Sequence, residues 1–357
     1  MLKRNRVLIV WLLLAISIRI FSLFPSAVEK WYATGIYPPI SQLQRILFGW
    51  IPFSIGDLLY AAAVIYLISA VFRIYKVWRR KHFNRMYIAS KSRKAITILL
   101  AVYVLFNLLW GLNYNRLGIA QQVGIAPGKY SKEELVEVVQ QIIYKLNKLE
   151  GPAHLRIPAL KRKRTLFGEA KTTYRLLAAR DNDFTYSFPS VKPSIYSYLG
   201  NYLGFTGYYN PFTGESQVNT TVPLYLQPFT TCHEIGHQIG YAKESEANFA
   251  SFLSARESSD PSFQYSLYFD LYAYARRYIY LTDTALLRAF DNQLQPSVKK
   301  DYRDLRAFLN RHANPVEVLI DKMYGQYLRA NQQPSGRLSY NEVIGWLVAY
   351  YRKFGVI

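Results

Sequence analysis

The sequence predicts a helical membrane anchor of three spans followed by a mainly-α, α+β outer domain. Three observations predict it. Three apolar stretches are each close to the length of a membrane span, and Lys and Arg crowd onto one side of them. Beyond residue 112 helical periodicity returns, interrupted by one region rich in Ser, Tyr, Gly, Pro and Thr. Of the 357 residues, 51% are hydrophobic and 19% charged, which excludes disorder as the dominant state. The single cysteine, Cys232, excludes an intramolecular disulfide framework and a multi-Cys metal cluster.

The apolar stretches run over 7–24, 52–72 and 95–112, near the ~20 residues a helix needs to cross the hydrocarbon core. The first is interrupted by Arg19, the second carries Asp57 near one end, and the third is uncharged. A secretory signal would have a shorter apolar core and a small-residue cleavage site, whereas this stretch runs into Ser22-Leu-Phe-Pro-Ser26. The formal net charge is +21, and most of the surplus lies in residues 1–112, whose only acids are Glu29 and Asp57. That concentration reads as membrane topology and argues against nucleic acid as a partner. Lys3, Arg4 and Arg6 precede the first span. The connection over 73–94 carries Arg73, Lys76, Arg79, Arg80, Lys81, Arg85, Lys91, Arg93 and Lys94, whereas that over 25–51 holds only Lys30 and Arg45. The basic side is cytoplasmic, so the N-terminus is expected inside and residues 113–357 outside. Arg19 and Asp57 are expected to pair or, for Arg19, to snorkel to the outer headgroups.

In the outer domain, Ser131-Lys-Glu-Glu134 forms a capping box. The helix it starts is marked by Leu135, Val138, Val139, Ile142, Ile143 and Leu146 and is expected to stop at Gly151-Pro152. A second helix is expected over 165–180, and short strands over 183–188 and 215–222. Further helices are expected over 229–240, 246–257, 261–282, 296–312, 315–331 and 339–354.

The chemistry concentrates in Thr230-Thr-Cys-His-Glu-Ile-Gly-His-Gln-Ile-Gly240, where His233-Glu234-x-x-His237 is the zincin pattern. Histidines four apart share a helix face, so both imidazoles can reach one ion. A catalytic Zn²⁺ takes three protein ligands and keeps an open position for water, whose proton Glu234 is placed to accept. Gly240 begins the longer three-His motif, but the third His is replaced by Lys243, leaving a downstream carboxylate as the third ligand. In an unbroken helix Glu246 would lie ~220° around from His233. The chain must therefore turn, with Gly240 at positive φ and Ser245 capping a helix that begins at Glu246. Glu246 is the expected ligand and Glu244 the alternative.

The run Glu246-Ala-Asn-Phe-Ala-Ser-Phe-Leu253 after His233-Glu-Ile-Gly-His237 resembles the Glu-Ala-Asn-x-Phe-Ala helix of gluzincin-type metallopeptidases of the ImmA/IrrE kind, with a much shorter loop between. Essentially the full chain resembles a family of bacterial three-span membrane proteins with an outer zincin-like metallopeptidase domain and no established substrate. The marks are Trp110-Gly-Leu-Asn-Tyr114, Gly207-Tyr-Tyr-Asn-Pro-Phe-Thr-Gly-Glu215, Val218-Asn219, Pro228-Phe-Thr-Thr-Cys-His-Glu-Ile-Gly-His237, Glu244-Ser-Glu-Ala-Asn-Phe249 and Ser339-Tyr340. The resemblance implies His233, His237 and Glu246 as ligands of one Zn²⁺ and Glu234 as general base.

Glu215 is expected to order its turn or a ligand histidine. Residues 216–222 could form an edge strand, either plain or pairing with an extended peptide. Tyr340 is a candidate donor to an oxyanion, Cys232 a core thiol, and His154 and His312 structural or exposed. The function expected is a membrane-anchored zinc metallopeptidase acting on a peptide or protein on the periplasmic side of a bacterial inner membrane. The alternatives are a non-catalytic zinc-binding membrane protein and a zinc amidase acting on cell-wall peptide.

Overall fold

Helix α1 (Leu2–Phe21) opens the computed structural model, which describes residues 2–80, 84–333 and 340–357, with side chains except at 2–5, 340 and 341. Lys81, Ser339 and the side chains of Lys3, Arg4 and Tyr340, all singled out above, lie outside the described residues. The stretch after α1, expected as a plain connection, is helical. It comprises α2 (Pro25–Ala27), a π-helical segment Val28–Ile36 and α3 (Tyr37–Phe48). Pro25 opens α2, where no intrahelical N–H is needed, and Pro38 and Pro39 fall where the π-helical segment gives way to α3.

The long apolar helices are α4 (Ile55–Arg79) and α5 (Arg85–Leu109). Among the described residues these two are long and apolar enough to cross a membrane, or three if α1 and the run Pro25–Phe48, bent by 101°, count as one broken span. Ile65, Leu67, Val71, Phe72 and Leu99 are all more than 60% exposed, an apolar surface that water does not tolerate and lipid does. This is the pattern of a membrane protein.

The chain divides into two units, one of residues up to Leu117 with Asn210–Glu215, the other of Gly118–Tyr209 with Ser216–Ile357. In the first, Glu215 meets the N-terminus of α4 and orders its own turn. Its carboxylate accepts from Ile55 N at 3.2 Å, Gly56 N at 2.5 Å and the Thr213 hydroxyl at 2.9 Å. Ser54 Oγ accepts from Asp57 N at 3.0 Å, so the orphan donors of that helix end are met by an anion and a hydroxyl. Arg19 reaches Ser22 Oγ, at 3.4 Å, and not Asp57.

The second unit begins with the short α6 (Ile119–Val123) and the long α7 (Lys132–Arg156), which starts on the expected capping box and buries the six expected apolar residues. It does not stop at Pro152, which sits inside it. The hydrogen bond a mid-helix proline forfeits is offset by what lies beyond. Ala153 is buried, His154 Nε2 meets Asp301 Oδ2 at 2.9 Å, and Arg156 Nη2 meets Asp260 Oδ2 at 2.8 Å. His154, expected to be structural or exposed, has a carboxylate partner in Asp301.

Helix α8 (Lys163–Ala178) follows, then strand β1 (Val191–Pro193), α9 (Ser197–Leu203), β2 (Gly207–Asn210) and β3 (Glu215–Val218). The sheet order is β1-β3-β2, with β1 parallel to β3 and Val191 opposite Ser216. The expected strand over 183–188 is instead a 3-10 turn, Asn182–Phe184, followed by irregular chain. The segment beginning at Ser216, expected at an edge, is the central strand, and the edge positions fall to β1 and β2.

The remaining helices are α10 (Gln227–Gln238), α11 (Glu244–Ala255), α12 (Pro261–Thr282), α13 (Thr284–Gln293), α14 (Pro296–His312), α15 (Pro315–Ala330) and α16 (Tyr340–Phe354). α12 is the central post of this unit. It packs along α7, α10 and α16 and buries Phe263, Tyr265, Leu267, Phe269, Leu271 and Tyr272. Its N-cap is Asp260, which accepts from Ser262 N at 2.9 Å while its other oxygen holds Arg156. Burial works against the charge of Asp260, but the hydrogen bonds from Ser262 and Arg156 outweigh it and leave its pKa below the ordinary value. The folded carboxyl thus titrates below the unfolded one. Its stabilisation is complete above about pH 4 and is lost as pH falls through the folded value. Asp260→Ala is expected to cost about 1 kcal/mol at pH 7. Urea unfolding of both proteins from pH 7 to pH 3 should show that difference narrowing below about pH 4.

Candidate metal centre

Helix α10 carries His233, Glu234 and His237, and two observations explain why it ends where it does. Gly240 takes φ +104°, as the sequence requires, and the chain closes a double hydrogen bond over the helix end. Gly240 N donates to His237 O and Tyr241 N to Gly236 O, both at 3.1 Å, the Schellman arrangement. The turn sends the chain back at once, and α11 begins at Glu244 with Lys243 as N-cap. The new helix thus starts two residues earlier than expected, and Ser245 lies inside it instead of capping it.

That two-residue difference decides which carboxylate reaches the histidines. Residues two apart on a helix point about 200° away from each other. Glu244 faces α10, with its carboxylate oxygens 3.2 Å from His233 Nε2 and 3.7 Å from His237 Nε2. Glu246, the expected ligand, faces away from them. Its Oε1 lies 3.4 Å from Lys243 Nζ and against the bare Cα of Gly118. His233, His237 and Glu244 offer ligand atoms all within 4.8 Å of one another, and so could hold a metal ion.

Both imidazoles are held with the same edge inward. His233 Nδ1 lies 2.8 Å from Asn248 Oδ1, and His237 Nδ1 lies 2.8 Å from Tyr241 O. A carbonyl oxygen can only accept, so each Nδ1 carries a proton and Nε2 is the nitrogen that each ring turns toward Glu244, the atom a metal ion would take once it is deprotonated. Tyr274 OH also donates to Asn248 Oδ1, at 3.2 Å, which keeps that amide oxygen on the His233 side. Tyr324, from α15, donates to Glu244 Oε1 at 2.5 Å. Donors set tetrahedrally ~2.0–2.1 Å from one zinc would be about 3.3 Å apart, and the observed separations of 3.2 and 3.7 Å bracket that value. Two imidazole nitrogens, neutral once a metal replaces the proton, and one carboxylate would leave the fourth corner of a tetrahedral ion open.

Glu234 flanks this cluster, 3% exposed, and its Oε2 has no hydrogen-bond partner among the described residues. It is packed against the start of β2, where a Cβ on Gly207 would fall 2.5 Å from Glu234 Oε1, so only glycine allows the strand so close. Burial, opposed in part by the charge of His233 and reinforced by that of Glu244, raises the Glu234 carboxyl to about 8. Burial lowers His237 to about 4. It would lower His233 as well, but the hydrogen bond and charge of Glu244 carry that ring up to about 9. Glu244 itself is held well below the usual carboxylate range, because His233 and His237 together outweigh its burial.

A family model described as a protein of unknown function, DUF3810, matches residues 32–348. The chain belongs to this family. No curated protein and no solved structure matches it. In this DUF3810 chain three residues of the centre escape sequence reasoning. Tyr324 is one of 31 tyrosines, with nothing in its neighbourhood to mark it. Asn248 lies in the quoted Glu-Ala-Asn run, and its place four residues after Glu244 on one helix was the available signal. Asp270, on α12, carries a buried Oδ2 without a partner, and burial pushes its carboxyl up to about 8 despite the nearby charge of His233. A carboxylate inside the aromatic run Tyr268-Phe-Asp-Leu271 could have drawn attention to it. Cys232 is a fully buried thiol 3.7 Å from Thr173 Oγ1, as expected of a core residue. The His312 ring packs on Tyr202, 4.9 Å between centroids.

Proposed function

We propose that the chain is a membrane-anchored zinc metallopeptidase of the gluzincin-like HExxH type. Its N-terminus would be cytoplasmic, and its metal-bearing domain would lie on the periplasmic face of a bacterial inner membrane. The observation that carries this reading is the convergence of His233 Nε2, His237 Nε2 and the Glu244 carboxylate beside the buried Glu234. Glu244 takes the ligand place that the sequence assigned to Glu246. The charge asymmetry around the apolar helices supports the orientation.

When bound, Zn²⁺ supplies a Lewis acid that lowers the pKa of water toward ~7 and polarises a carbonyl. Asn248 and Tyr241 O keep both imidazoles in the tautomer that offers Nε2, and Tyr324 orients Glu244. Glu234 accepts the proton of the attacking water as its oxygen bonds to the peptide carbon. It then delivers that proton to the amine nitrogen as the C–N bond breaks. A buried carboxylate without hydrogen bonds is the more basic for it. The edge strand β2 begins at Gly207, directly against Glu234, and its backbone supports an extended peptide as the substrate class.

The test uses the full chain purified in detergent. It is expected to carry one zinc per chain and to cleave an unfolded protein substrate, with cleavage lost to a chelator and restored by zinc. Failure to retain zinc after loading would remove the metal site. Zinc at unit stoichiometry, without cleavage of peptides or of cell-wall peptide, would make the centre a binding or structural site.

A further inference from the structure

Away from the metal centre, α12, α13 and α14 border a groove of about 730 Å³. Its walls bring together Arg276, Arg277, Lys299, Arg303 and Arg306 against a single acid, Asp291. That acid is already engaged. Asp291 takes two hydrogen bonds at 3.0 Å from Arg276, through Nε and Nη2, and one at 2.8 Å from Tyr272 OH. Arg276 is thereby fixed in place without the surrounding positive charge being neutralised. Arg303 and Arg306, exposed and one turn apart on α14, have no ion pair among the described residues. Like charges at this helical spacing repel, and converging cations without counter-charge raise the local potential and concentrate anions. The nearby acids of α14 are committed elsewhere, Asp304 to Lys300 at 2.7 Å and Asp301 to His154.

The rest of the lining is not that of a plain solvated face. Tyr280 and Tyr302 stand beside Leu294, Leu305 and Leu309, giving an apolar wall next to the cationic one. The volume is that of a site for a small organic molecule. The guanidinium groups of Arg303 and Arg306, with the donors of Arg276 that Asp291 leaves over, suit an acceptor with several oxygens in a compact arrangement. A phosphate group presents up to two charges and three such oxygens in one tetrahedron, whereas a single carboxylate leaves most of these donors unmatched.

We propose that the groove between α12, α13 and α14 is a binding site for a phosphate ester, its phosphate held by Arg276, Arg303 and Arg306 and its organic part laid against Tyr280 and the leucines. The site is built from elements that hold none of the metal ligands, and it stands whether or not the metal centre is catalytic.

The test is calorimetric titration of the full chain in phosphatidylcholine nanodiscs with three probes, namely glycerol 1-phosphate, dihexanoylphosphatidylglycerol and a glutamate hexapeptide. Binding of glycerol 1-phosphate, weakened tenfold or more in Arg303→Glu/Arg306→Glu, supports the site with a soluble ester as its ligand. Binding of the short-chain lipid alone, weakened by the same double substitution, supports it with a lipid headgroup. The Gln double variant, measured beside the Glu one, should show the same direction of change with an unaltered melting temperature. Binding of neither phosphate probe overturns the proposal. So does binding that the double substitution leaves unchanged, or an affinity for the acidic peptide equal to that for the phosphates.

Discussion

Glu234→Gln is expected to lower kcat/KM for peptide hydrolysis by about 10³-fold while the chain keeps its full zinc content and its melting temperature. A positioned general base contributes roughly 10²–10⁴-fold, and 10³-fold corresponds to about 4 kcal/mol of barrier. Glutamine has the same shape, so it fits the space that Gly207 leaves open and does not strain β2. It cannot accept a proton at neutral pH. Because Glu234 contributes no ligand atom to the cluster of His233, His237 and Glu244, zinc content should be untouched. Metal content and initial rates measured on one preparation separate the possibilities. A variant that cleaves as fast as the parent removes Glu234 from the chemistry. A variant that loses zinc along with activity shows instead that the carboxylate supports the metal. Gly207→Ala offers an independent check, since an added Cβ 2.5 Å from Glu234 Oε1 must displace that side chain and slow the reaction without removing a ligand.

What could be read from the sequence divides along a physical line. Local rules carried the capping box at Ser131, the positive φ of Gly240 and the starts of α12, α14 and α15 at Pro261, Pro296 and Pro315, because caps and prolines act on their own neighbours. The HExxH spacing placed both imidazoles on one face for the same reason. Features set by distant partners depart from the expectation. Pro152 continues α7 because Asp260 and Asp301, more than a hundred residues on, hold the turn that follows it. The segment at Ser216 is central because β1 and β2, each of three or four residues, flank it, and strands so short leave hardly any alternation to read. Of the two carboxylates that the sequence leaves open, Glu244 faces the histidines and Glu246 does not. The geometry hinges on a helix start that differs by two positions, which is within the usual uncertainty of a boundary.

Substitutions at the two candidate carboxylates are expected to give opposite results. Glu244→Ala should abolish stoichiometric zinc binding, as should His233→Ala, since each removes one of three first-hand donors. Glu246→Ala should leave one zinc per chain, because its carboxylate lies against Lys243 and Gly118 and not toward the imidazoles. Its cost should fall on stability instead, since it removes a buried group, 2% exposed, from the first turn of α11 and leaves Lys243 without that partner. Tyr324→Phe gives an intermediate case. It deletes only the hydrogen bond to Glu244 Oε1, and losing an orienting partner of this kind typically weakens metal affinity by ~10–100-fold. Competition with a fluorescent zinc chelator should therefore order the four proteins, with wild type and Glu246→Ala together, Tyr324→Phe weaker, and Glu244→Ala weakest. Zinc retained by Glu244→Ala but lost from Glu246→Ala would invert the assignment. In that event α11 would have to rotate by about half a turn from the orientation in which Ala247 and Phe249 are buried, and the core that α11 forms with α10 and α16 would have to repack.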